Sequence, residues 1–120
     1  MNYLGYLDAE TGERLDEAKT LIQRALELDA ENGAYMDSLG WVYFKMGKLD
    51  EAISQLEHAA AVLDTDPVVF DHLGEAYFKQ HELEKARRNW ERALTLDQTQ
   101  TAIQEKLHRL LSHEVTAPAQ

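Results

Sequence analysis

A nine-residue block, Asp37-Ser38-Leu39-Gly40-Trp41-Val42-Tyr43-Phe44-Lys45, returns thirty-four residues later as Asp71-His72-Leu73-Gly74-Glu75-Ala76-Tyr77-Phe78-Lys79. The register holds beyond the block: Leu49 matches Leu83, Ala52 matches Ala86, Glu57 matches Glu91 and Ala59 matches Ala93. A constant period of this length marks a chain built of repeated helix pairs, each burying its apolar face against its neighbours. The expected fold class is therefore all-α.

Local signals divide the chain into helices. Residues 3–10 read as a short helix with Tyr3, Leu4 and Leu7 apolar, ended by Gly12 through a positive φ. The next helix, about 14–29, carries Leu15, Ala18, Ile22, Ala25 and either Leu26 or Leu28 as one stripe, with Asp16 and Glu17 at its positive end. Asn32 caps a helix over 33–46, which Gly47 stops. A helix over about 49–63 buries Leu49, Ala52, Ile53, Leu56, Ala59 and Val62. Asp66 as cap and Pro67 at the first helical position open the following pair, 67–80 and 83–97. His81 stands where Gly47 stood and takes its role as a stop, since His also visits the left-handed region. A last helix at about 101–112 sets Ile103, Leu107, Leu110 and Leu111 on one side, and residues 114–120 lack periodicity and are expected to be a disordered tail.

Gly40 and Gly74 fall mid-helix, where glycine costs about 1 kcal/mol relative to alanine. Ala52 and Ala86 follow on the returning helices, and small residues at both places let antiparallel helices approach closely. Ala59 and Ala93 are small again, where the next pair must pack.

These positions resemble the tetratricopeptide repeat. The pattern reads Met36, Leu39, Gly40, Tyr43, Ala52, Leu56, Ala59, and again Phe70, Leu73, Gly74, Tyr77, Ala86, Trp90, Ala93. A third copy lies upstream as Leu4, Gly5, Ala18, Ile22, Ala25, with one extra residue before Ala18 and with Asp8 in the slot of Tyr43 and Tyr77. The resemblance implies a right-handed superhelical array of antiparallel helix pairs, a solenoid. It would form a single domain over 1–113 with repeats at about 1–32, 33–66 and 67–100 and a capping helix at about 101–112. The incomplete first copy resembles the end of a longer array from a larger bacterial protein, which leaves an apolar face on residues 1–25 expected to self-associate.

What such an array does follows from the same resemblance: the first helices of successive pairs line a groove that holds a peptide or partner segment. The groove positions are Tyr6, Asp37, Trp41, Phe44, Asp71, Glu75 and Phe78, with Asn2, Ala9, Ala34 and Val68 beside them. Acids and aromatics together suit a partner that offers Lys or Arg with an apolar anchor. A clamp for a terminal carboxylate, known in some members of the family, is disfavoured because acids occupy its positions. The alternatives are a structural module that terminates or self-associates within a longer array, and the interaction domain of a larger enzyme.

Composition narrows the partners. The net charge of −10 and pI near 4.8 disfavour nucleic acid and anionic membrane surfaces. Cysteine is absent, so disulfides and thiolate chemistry are excluded. No apolar run is long enough to insert in a membrane, no signal peptide is recognisable, and the default compartment is cytoplasmic. No cofactor, metal or catalytic residue is expected. The five histidines do not fall at ligand spacing, Glu105 and His108 are an ordinary helical pair, and no nucleophile has a neighbouring base. Arg87, Arg88 and Arg92 read as a solvated face paired with Glu84 and Glu91.

Overall fold

The computed structural model describes residues 12–116, and every regular element among them is an α-helix. The helix expected at 3–10, with its candidate groove residues Asn2, Tyr6 and Ala9, lies outside the described residues. Six helices follow one another: α1 (Gly12–Leu28), α2 (Gly33–Lys45), α3 (Leu49–Val62), α4 (Pro67–Lys79), α5 (Leu83–Leu96) and α6 (Thr101–Thr116). They fall into two compact units, one ending at Asp64 and the other starting at Thr65.

The helix ends are built by short-range chemistry. The Asn32 side chain accepts from the Tyr35 backbone N–H at 3.0 Å, and Asp66 accepts from that of Val68 at 2.9 Å, each satisfying a donor that the first turn leaves open. At the end of α2, Gly47 takes φ +80°, its N–H donates to Phe44 O at 3.0 Å, and Lys48 N–H donates to Tyr43 O at 2.9 Å. That pair of bonds is the Schellman arrangement. His81 reproduces it after α4 with φ +64°, as His81 N–H donates to Phe78 O and Glu82 N–H to Tyr77 O, both at 2.9 Å.

Gly12 departs from expectation. It is the first residue of α1 and has no positive φ, while the helix it was expected to end lies outside the described residues. With Glu13, it brings the start of α1 forward to before the expected position 14.

In the first unit, α2 and α3 pack closely, with Gly40 against Leu56 and Ala52, and Leu39, Ala59 and Ala60 are buried on the two helices. On the other side of α2, Leu15 and Val42 form a small core, with Ala18, Ile22 and Met46 packed against it. Of the two candidates for the end of the α1 stripe, Leu26 is half-buried, whereas Leu28 is 92% exposed. Leu21, seven residues before Leu28 on the same face, is 65% exposed.

In the second unit, α4 and α5 repeat the close pairing, with Gly74 against Trp90, and Val69, Leu73, Ala76, Tyr77, Ala86 and Ala93 are buried on the two helices. The α6 helix lies on α5 and buries Ile103 and Leu110, leaving Leu107 half-buried and Leu111 41% exposed. It runs four residues past the expected end at 112. An Asx turn sets its start: Asp97 accepts from Thr99 N–H and Oγ1–H and from Gln100 Nε2. These hydrogen bonds, that from the Thr99 hydroxyl first, hold the Asp97 carboxyl below its usual range.

Candidate functional site

The second unit contains a cleft of about 480 Å3 between α4 and α6. Its apolar wall is Phe78, Trp90, Ala102 and Leu110. Trp90 and Leu110 are almost fully buried, while Phe78 is 40% exposed and offers most of the open aromatic surface. The Phe78 and Trp90 rings lie 5.8 Å apart and tilted by 42°, a favourable aromatic geometry. Glu75, Glu105, Lys106 and Arg109 supply the charged rim.

A compact polar network stands behind that rim. Lys106 Nζ, on α6, donates to both carboxylate oxygens of Asp71 at 2.9 and 3.1 Å and pairs with Glu75 at 2.7 Å. Asp71 Oδ1 also accepts from the Trp90 indole N–H at 3.0 Å. Burial opposes the charge on Lys106, but the hydrogen bonds and charges of Asp71 and Glu75 outweigh it, so its pKa stands above the usual lysine value. All three side chains are partly shielded, 22–29% exposed, which makes these bonds worth more than solvated surface pairs.

The structure thus assigns different places to the sequence-derived candidates in this unit. Glu75 and Phe78 line the cleft. Asp71 is committed to Trp90 and Lys106 behind it. The cationic contribution of α6, Lys106 and Arg109, was missed by sequence reasoning, which treated α6 only as a cover for apolar surface. The available signal was the period itself, since Lys106 and Arg109 occupy the slots of His72 and Glu75 on the preceding first helix.

In the first unit, Trp41 and Phe44 stack on the surface of α2 with centroids 4.5 Å apart and planes within 7°. Both rings are half-buried, and Lys45 Nζ lies 5.6 Å from the Trp41 centroid, within cation–π range. Asp37 is half-buried on the same helix, one turn before Trp41.

The arginines of α5 behave as a solvated face. Arg87 bonds both Glu84 and Glu91, Arg88 reaches Glu84 at 3.4 Å, and Arg92 lies over Phe70 at 5.7 Å. Among the described residues no group of three or more His, Asp or Glu side chains is placed to hold a metal ion, and no helix is long and apolar enough to cross a membrane.

Comparison with known proteins agrees with this architecture. Tetratricopeptide repeat profiles match residues 33–63 and 67–100, together more than half of the chain. A TPR repeat-containing protein of Pseudomonas aeruginosa, PA4667, is 41% identical over 49 residues, which is 41% of this chain and 8% of that relative. The chain therefore spans a small fraction of that relative's length. Among solved structures, the Yersinia enterocolitica type III secretion translocator chaperone SycD superposes with a TM-score of 0.83 at 20% identity, covering 95% of this chain and 83% of SycD. The first TPR of Spaghetti (RPAP3), bound to the HSP90 peptide SRMEEVD, superposes with a TM-score of 0.82 at 22% identity over 87% of this chain and 82% of that one. Repeated sequence register, paired helices and profile matches agree, and the chain is a member of the tetratricopeptide repeat family.

Proposed function

We propose that this chain is a protein-interaction scaffold that holds a peptide or partner segment on the faces of its first helices, with Asp37, Trp41 and Phe44 contributing on α2 and Asp71, Glu75 and Phe78 on α4. Tyr6, outside the described residues, belongs to the same proposal. The observation that carries it is the α4–α6 cleft, where an open aromatic ring and a charged rim meet, and where Glu75 and Phe78 stand at positions that the family resemblance implies for a groove. Two structural neighbours support a peptide-binding reading: RPAP3 was solved with an HSP90 peptide, and SycD with a peptide of the translocator YopD. Catalysis is not part of this proposal.

Capture experiments with wild-type protein and two variants test it. A specific partner is retained by Arg88→Ala, whose side chain is 70% exposed on α5, and lost from the Trp41→Ala, Phe78→Ala double variant. Retention by the double variant with loss from Arg88→Ala would place the ligand elsewhere. Binding should also weaken with salt, because a chain of this net charge attracts its partner partly through screened surface electrostatics.

A second reading is assembly through α1, favoured by the two exposed leucines Leu21 and Leu28 on one helix face.

A further inference from the structure

We propose that the α4–α6 cleft selects a partner segment in which a lysine or arginine adjoins a large apolar side chain, with the cation bound at Glu75 and the apolar group on Phe78. This proposal deepens the scaffold reading and rests on it.

The argument is one of charge and shape within a single cleft. Asp71 and Glu75 bring two negative charges to one point, and Lys106 brings one positive charge. The rim beyond is balanced, because Glu105 and Arg109 face each other on the same helix at 3.9 Å. A single unbalanced negative charge therefore remains, and it sits beside the exposed Phe78 ring. Asp71 has its oxygens engaged by the Trp90 indole and Lys106, whereas Glu75 meets Lys106 through Oε2 at 2.7 Å and also borders the open cleft. A ligand cation would share the Glu75 carboxylate with Lys106, and its aliphatic stem can lie against Phe78, gaining contact area and a cation–π contribution. A ligand carboxylate in the same place would have to oppose that residual charge. The wall of Phe78, Ala102 and Leu110 accepts the neighbouring apolar side chain, and about 480 Å3 leaves room for it beside the cation.

The test is fluorescence anisotropy of the full chain with two labelled octapeptides, one alternating lysine and leucine, the other glutamate and leucine. The lysine peptide is expected to bind more tightly than the glutamate peptide. Glu75→Gln keeps the size of the side chain and leaves Lys106 on Asp71, and it should weaken the lysine peptide roughly fivefold, the scale of one partly shielded ion pair. Phe78→Ala should weaken it by a similar factor. Glu51→Gln removes the same charge from the exposed surface of α3 and should leave affinity unchanged. Circular dichroism of each variant separates lost binding from lost fold.

Equal or tighter binding of the glutamate peptide overturns the proposal. So does an equal loss from Glu51→Gln and Glu75→Gln, which would mean attraction by net charge alone. Failure of both peptides to bind, while the capture experiment still loses its partner from the Trp41→Ala, Phe78→Ala variant, overturns the cation selectivity and leaves the scaffold reading standing.

Discussion

The Trp90 indole lies across Gly74 so closely that a Cβ added there would stand 2.5 Å from Trp90 Cδ1 and 2.7 Å from Cε2. The indole N–H then reaches Asp71, three residues earlier on the same helix as Gly74. In the preceding pair, a Cβ at Gly40 would meet Leu56 Cγ at 2.6 Å and Ala52 O at 3.2 Å. The packing glycine thus has a different occupant in each unit: a rigid ring in one and an aliphatic side chain in the other.

Gly40→Leu and Gly74→Leu should each destabilise the protein by about 1–3 kcal/mol or more, the usual cost of overpacking. An unchanged melting temperature in either variant would contradict the close-paired helices. The coupling is also testable. Gly74→Ala should cost less in a Trp90→Leu background than in the wild type, because the smaller side chain gives way.

Trp90 is 2% exposed and carries both the apolar contact and the bond to Asp71. Trp90→Ala should cost about 3–5 kcal/mol in denaturant unfolding, at the level of large aromatic truncations. Trp90→Phe should cost less, as it keeps an aromatic ring in the site while losing the Asp71 hydrogen bond and the volume of the five-membered ring.

Lys106 makes stability depend on alkaline pH. Its folded pKa is raised above its unfolded value, so the stabilisation is complete below the ordinary lysine range and fades as pH climbs through the raised folded value. Arginine stays charged throughout. Denaturant midpoints measured from neutral to strongly alkaline pH should therefore fall less steeply for Lys106→Arg than for the wild type. Parallel profiles would show that the Asp71–Lys106–Glu75 network contributes nothing to stability.

His81 holds φ +64° without the freedom of glycine. A side chain in the left-handed region costs about 1 kcal/mol, so His81→Gly should raise stability by up to that amount. Gly47→Ala, at φ +80°, should lower it by a similar amount. Thermal melts of the two variants moving in the same direction would contradict this account of the turns.

Leu21 and Leu28 should drive self-association at high concentration, with Leu21 falling inside the 1–25 stretch expected to associate. Sedimentation or light scattering should show oligomers that Leu21→Lys, Leu28→Lys dissociates. A wild-type monomer at high concentration would remove the assembly reading.

The amino-acid sequence by itself determined the helices from α2 to α5, their pairing and the caps between them. Each of these depends on neighbours at a constant separation: Asn32 meets Tyr35, Asp66 meets Val68, and Gly47 and His81 close the same pair of bonds in successive repeats. A period of thirty-four residues carries such relationships from one repeat to the next. Gly12 opens α1 without the positive φ expected of it, a choice of backbone conformation that glycine leaves open in the sequence. Likewise the apolar stripe on α1 could end at Leu26 or Leu28 until burial chose between them.

The candidate site was legible only in part. Glu75 and Phe78 could be placed on the face that the family resemblance assigns to a partner, but the commitment of Asp71 could not be foreseen. Asp37 and Asp71 share a slot, yet Asp71 accepts from an indole N–H only because Trp90 stands where Leu56, which has no donor, stands in the pair before. The Lys106 contact joins residues thirty-five apart on helices that are not consecutive. Tertiary structure decided these features because side-chain partners between helices are set by three-dimensional approach and by which residue fills each slot, and a sequence period specifies the slot but not its neighbour.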